Sequence, residues 1–86
     1  MNNQDIRTIF GSNIYYYRTL IGYSQRELAE KCELSSRYIS DIENSKGNVS
    51  LDTIELLSLA LKISPEYLFK EIPKRIKKRK QDNYER

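Results

Sequence analysis

The chain has 86 residues, 38% hydrophobic and 31% charged, which suits one compact domain and excludes a chain disordered along its whole length. Its single cysteine excludes an intramolecular disulfide, and without histidine the mixed ligand sets of zinc are missing, so neither metal nor cofactor is expected. The formal charge of +3 points to an anionic partner, while the lack of a signal-peptide pattern or a run of ~18 apolar residues argues against a membrane and for the cytoplasm.

From Ile6 to Ile21 the residues Phe10, Ile14, Tyr17 and Ile21 recur at spacings of four, three and four, the period of an amphipathic helix, and Gly22 is a natural stop. Tyr15, Tyr16 and Tyr17 point in three directions on such a helix, so they make no single stacking surface; Tyr17 is expected in the core. A second helix follows, with Ser24 as N-cap and Glu27 placed to complete a capping box, and with Leu28, Ala29 and Cys32 as its apolar stripe. Cys32 on that stripe is expected to be a small buried hydrophobe rather than a redox switch. Ser35 then caps a third helix carrying Tyr38, Ile39 and Ile42, after a link so short that it forces a sharp turn.

Asn44 to Asn48, with Gly47 inside, reads as a loop. Ser50 caps a fourth helix through Leu61, with Leu51, Ile54, Leu57 and Leu61 on one face and Leu56 and Ala60 in a second row, so this helix is expected to be deeply buried. Ser64 and Pro65 repeat the start signal for a short fifth helix ending near Phe69, and Pro73 closes the folded part. No useful length alternates with period two. The expected fold class is all-α, five short helices in one domain over residues 1–72, followed by a tail over 73–86.

Residues 10 to 69 resemble the Cro/Xre helix-turn-helix family of phage repressors and restriction-modification controllers. The resemblance rests on Ile14-x-x-x-Arg18, Gly22-Tyr23-Ser24-Gln25, Leu28-Ala29, Tyr38-Ile39-Ser40-x-Ile42-Glu43 and Leu51-x-x-Ile54-x-x-Leu57-x-x-Ala60-Leu61 in one register. It implies a five-helix lambda-repressor-like domain whose helix-turn-helix runs from Ser24 to Asn44, with base-reading positions at the start of the third helix. Ser36, Arg37 and Asp41 would then meet base edges. Arg37 is the principal candidate because a guanidinium can make two hydrogen bonds to guanine O6 and N7. Asp41 either accepts from a cytosine amino group or holds Arg37 in place, and the bland alternative is a solvated i,i+4 pair.

The same resemblance places Gln25, Tyr38, Asn44, Lys46 and Asn48 at phosphates, Gln25 also lying at a helix start where the dipole favours an anion. For the loop residues, ordinary turn chemistry is the competing reading. It further implies an inward salt bridge between Arg18 and Glu43. Two departures matter: Glu33 stands where many relatives have glycine, and Ser45 stands where glycine commonly follows the position of Asn44.

Ile63, Tyr67, Leu68 and Phe69 are more apolar than a solvent-facing end requires. By resemblance this region forms a homodimer, with Ile63, Tyr67 and Phe69 in the interface and Leu68 capping the monomer core. Residues 1–72 carry eight basic and ten acidic side chains, whereas 73–86 carry seven basic and two acidic, so the tail holds the whole positive excess. It can reach DNA phosphates, continue as a basic helix or remain a solvated tag. The reading is a sequence-specific regulator that binds double-stranded DNA as a homodimer on a palindromic operator. The alternative is an antitoxin or interaction module of the same fold. An enzyme is not expected, since neither a phosphate-binding glycine loop nor a nucleophile with its base is present.

Overall fold

A computed structural model describes residues 5–71, and the expected basic tail lies outside them. Four α-helices follow in order: α1 (Ile6–Ile21), α2 (Gln25–Cys32), α3 (Ser36–Glu43) and α4 (Leu51–Leu61), then a 3₁₀ segment, Pro65–Phe69. The described residues contain no strand.

Each α-helix begins where a short oxygen-bearing side chain can take up a first-turn amide. The Asp5 carboxylate accepts from Thr8 N at 2.9 Å, a bond that also holds its carboxyl below the ordinary value. In α2 both halves of the capping box form, Glu27 N donating to Ser24 Oγ at 2.9 Å and Ser24 N to Glu27 Oε1 at 2.7 Å. Ser35 Oγ accepts from Tyr38 N, and Ser50 Oγ accepts from Thr53 N, each at 3.0 Å.

The helices end by turning left-handed. Gly22, at φ 93°, directs its N–H to the carbonyls of Arg18 and Thr19. Glu33 closes α2 in the same conformation at φ 58°, with Leu34 N donating to Ala29 O at 2.8 Å. The turn between α2 and α3 thus keeps a left-handed residue without glycine, at a cost of about 1–2 kcal/mol for the crowded Cβ. Ser45 makes the same concession at φ 67°.

The core is the meeting of these helices. Phe10 and Ile14 from α1, Leu28, Ala29 and Cys32 from α2, Ile39 and Ile42 from α3, and Leu57 and Leu61 from α4 are buried together with Leu68. Burial pushes the Cys32 thiol above its ordinary pKa, consistent with a packed rather than a reactive sulfur. Tyr17, expected in the core, is only half-buried, its ring packed edge-on against Tyr16 at 4.9 Å between centroids.

Two expectations are corrected. The fourth helix is not deeply buried: Leu57, Ser58 and Leu61 are enclosed, whereas Leu51 is 83% and Leu59 68% exposed and Leu56 is exposed as well. It lies on the outside of the domain, so of its second apolar row Leu56 stays exposed while Ala60 packs, partly buried, against the core. The fifth helix is a 3₁₀ turn rather than an α-helix, and the Ser64 side chain makes no capping bond. Five residues opening on proline, which lacks an N–H, close i to i+3 bonds such as Tyr67 N to Ser64 O at 3.0 Å more readily than an α turn. A buried side chain absent from the expectations, Asn13, fastens this segment. Its Nδ2 lies 3.0 Å from Leu68 O and 2.7 Å from Lys70 O.

Candidate nucleic-acid interface

The third helix is set by what it buries. Ile39, Ile42 and Glu43 face inward, and a helical period then turns Arg37 and Asp41 outward, while Ser36 is exposed because it opens the first turn. Glu43 is charged yet only 5% exposed, a position that requires a cation. Arg18 supplies it in a two-pronged contact, Nε to Oε2 at 2.6 Å and Nη2 to Oε1 at 3.0 Å. The remaining prong, Nη1, donates to Tyr23 O at 2.8 Å, so one guanidinium ties α1 to the end of α3 and to the residue just before the helix-turn-helix. The salt bridge implied by the resemblance is therefore present.

Backbone proximity completes the seating. A Cβ on Gly11 would stand 2.2 Å from Ile42 O and 3.3 Å from Glu43 Cα, so α1 and α3 meet at that glycine without a side chain between them. Arg18 and Gly11 together fix where the outward residues point.

On the outer face, the Arg37 side chain is 86% exposed and lies 3.7 Å from Asp41. That separation makes a loose surface pair, too long for a hydrogen bond and worth a few tenths of a kcal/mol. Arg37 is thus held near the face but can be released cheaply. Ser36 is exposed one position before it, and Asp41 is half-buried one turn later. The three candidate base readers share one helix.

The flanking candidates are arranged unequally. Gln25 opens α2 and donates from Nε2 to Glu43 Oε1 at 3.0 Å, joining the buried ion pair and keeping its second amide hydrogen. Asn44 turns back along its own helix, Nδ2 donating to Ser40 O at 2.9 Å. Tyr38 is half-buried, and its hydroxyl donates to Asn48 O at 2.6 Å. Lys46 and Asn48 are exposed on the loop after α3. One residue absent from the expectations reaches the same loop: Arg7, near the start of α1, donates from Nε to Gly47 O at 2.9 Å and from Nη2 to Asn48 Oδ1 at 2.6 Å. No local pattern could reveal a pairing across forty residues.

Of the expected interface residues, Tyr67 and Phe69 are exposed and Ile63 is half-buried. Phe69 also leans on Phe10, the ring centroids 5.3 Å apart. Leu68 is fully buried, as expected of a residue that caps the monomer core. Among the described residues no helix is long and apolar enough to cross a membrane, and no cluster of three metal-ligating side chains occurs.

A family described as helix-turn-helix matches residues 14–68, the span that contains every element from the middle of α1 to the 3₁₀ segment. The chain belongs to the Cro/Xre-type helix-turn-helix family. The control protein C.BamHI of Bacillus amyloliquefaciens is 45% identical over 65 residues, covering 74% of this chain and 80% of the relative. In structure, this helix-turn-helix protein is similar to the restriction-modification controller protein C.AhdI from Aeromonas hydrophila. The TM-score is 0.71 at 38% identity, over 73% of this chain and 96% of that one. It is also similar to the master regulator for biofilm formation SinR, solved in complex with DNA, with a TM-score of 0.66 at 39% identity over 71% of this chain and 98% of that one.

Proposed function

We propose that the protein is a transcriptional regulator that reads double-stranded DNA with α3, as a homodimer on a palindromic operator. The observation that carries the reading is one short helix anchored through Ile39, Ile42 and a buried Glu43, whose opposite face offers an exposed Arg37 and whose first turn offers Ser36. An element so fixed on one side and so polar on the other suits the major groove. Arg37 is the principal reader, Ser36 a second donor or acceptor, and Asp41 either orients Arg37 or accepts from a cytosine amino group.

Phosphates on either side are assigned to Gln25, Asn44, Lys46 and Asn48, and to Tyr38 where its hydroxyl exchanges Asn48 O for the anion. Gln25 retains a hydrogen for this purpose, whereas the Asn44 amide nitrogen is directed at both the Ser40 carbonyl at 2.9 Å and the Ser40 hydroxyl at 3.4 Å. Residues 5–71 carry more acidic than basic side chains, so nonspecific attraction is assigned to the seven basic residues after Ile72. The likeness to C.BamHI and C.AhdI favours a controller of a restriction-modification system, acting in the cytoplasm.

Dimerisation is assigned to Ile63, Tyr67 and Phe69. The exposed Leu56 and Leu59 on α4 add to the apolar surface that a second copy would cover. Two recognition helices related by a two-fold axis meet successive major-groove faces about 34–36 Å apart. Selection of binding sequences from random duplexes is accordingly expected to enrich a two-fold symmetric site with half-site centres about 10 base pairs apart. Enrichment of single, asymmetric half-sites, bound by one chain, would refute the dimeric reading.

A further inference from the structure

We propose that Arg7 is a positioning residue for DNA binding, which holds the loop after α3 in the shape that presents Lys46 and Asn48 to a phosphate. The proposal rests on the assignment of that loop to the DNA backbone and adds to it a device outside the helix-turn-helix itself.

The loop needs such a device. It contains two left-handed residues, Ser45 at φ 67° and Gly47 at φ 76°. Lys46, Gly47 and Asn48 stand over a groove of about 260 Å³ lined by Ile6, Phe10, Ile42, Ile54 and Phe69, so close packing does not fix them from below. Polar contacts do. Lys46 N donates to Asp41 O at 2.8 Å, which closes the end of α3 as the matching bond closes α2. Beyond that point, Arg7 takes Gly47 O and Asn48 Oδ1, and the Tyr38 hydroxyl takes Asn48 O. Asn48 is thereby tied to α1 through its side chain and to α3 through its backbone.

Arg7 also sets the polarity of Asn48. An asparagine amide offers an acceptor at one end and donors at the other, and only the donor end suits a phosphate. With Oδ1 engaged by a guanidinium, Nδ2 is the end left for an anion. A loop released from Arg7 samples other shapes and both amide orientations. The affinity then falls in proportion to the fraction of molecules still correctly arranged.

The test compares Arg7→Met, Arg7→Lys and Lys46→Ala in the full chain, by ¹⁵N relaxation of the free protein and by binding to the selected operator over a range of salt. In Arg7→Met the order parameters of Gly47 and Asn48 are expected to fall from the rigid value of about 0.85 to below about 0.6, while those of α3 stay unchanged. Affinity is expected to drop about three- to tenfold with the same salt slope, because fewer competent molecules bind through unaltered phosphate contacts. Arg7→Lys, which keeps one donor, restores part of the loss. Lys46→Ala is expected to reduce the slope by about one.

Unchanged order parameters in Arg7→Met would overturn the proposal. So would a slope reduced as in Lys46→Ala, which would make Arg7 itself a phosphate contact. Full affinity in Arg7→Met beside a weakened Lys46→Ala would sink the positioning role alone. Full affinity in both would remove the loop's phosphate assignment and the positioning role with it.

Discussion

Gly11→Ala is expected to destabilise the domain by about 2 kcal/mol or more and to impair specific DNA binding beyond that loss. Alanine in a helix interior is ordinarily favoured over glycine by about 1 kcal/mol, so the expected sign runs against intrinsic propensity. The added methyl would overlap the Ile42 carbonyl at 2.2 Å, and that oxygen is backbone at the end of α3, with no rotamer to yield. Overpacking of this kind typically costs about 1–3 kcal/mol and occasionally more. Relief requires α3 to move off α1, which carries Arg37 out of register with the groove. Urea unfolding, read as a midpoint shift at constant m, measures the first effect, and the ratio of specific to random-duplex affinity measures the second. A variant at least as stable as the parent would show that the two helices do not meet at Gly11.

Arg18→Met is expected to cost about 3–5 kcal/mol, because it leaves the Glu43 carboxylate enclosed without its cation. Small domains hold roughly 0.05–0.15 kcal/mol per residue, about 4–13 kcal/mol for a chain of 86 residues, so the loss removes a large share of the stability and unfolds the variant outright at the low end of that range. Removing both charges should hurt less than removing one. Arg18→Met combined with Glu43→Leu is expected to regain most of the lost stability, since an apolar pair avoids the desolvation that burdens the ion pair. Specific affinity should not return in parallel. The double variant also loses the bonds to Tyr23 O and Gln25 Nε2, which fix how α2 and α3 sit together. Thermal unfolding of the parent, single and double variants resolves the cycle. Equal stability of parent and Arg18→Met would contradict the buried pair.

The scaffold was largely legible because its signals are local. Serine at the N-cap of α2, α3 and α4, glycine after α1 and apolar residues at helical spacing each act within a few positions, and they marked the four α-helices. Arg18 and Glu43 were paired by family resemblance, since nothing within either helix predicts a partner twenty-five residues away. Where local signals failed, a distant neighbour decided. The periodicity of α4 is that of an amphipathic helix, but how many rows a helix buries depends on what lies beside it. Leu56 and Leu59 are left exposed in the monomer. Nothing in the sequence around Gly11 marks it, because its need for a missing side chain is written in the path of α3. Ser64 and Pro65 signalled a helix start correctly, whereas the five residues that followed closed i to i+3 bonds instead of α-helical ones.

The interface was legible in its chemistry more than in its arrangement. Arg37 falls on the outer face of α3, as the inward pull of Ile39 and Ile42 dictates, and Ser36 is exposed at the helix start. The orientations of Asn44 and Asn48 could not be read, because each is set by a partner, Ser40 in one case and Arg7 in the other. Residue type marks a side chain as able to hold a phosphate. Its partners decide whether the donor end is available.

The central claim, that α3 reads bases through Arg37, is tested most directly by scanning every position of the selected operator with single base-pair substitutions against the parent and Arg37→Ala. The parent is expected to lose affinity at each read position, by about 1–3 kcal/mol where Arg37 meets a guanine. Arg37→Ala, whose side chain is exposed and loosely paired, should stay folded. It should lose discrimination at one base pair in each half-site and keep it elsewhere. Retention of the parent's full pattern of preferences by Arg37→Ala would contradict the account.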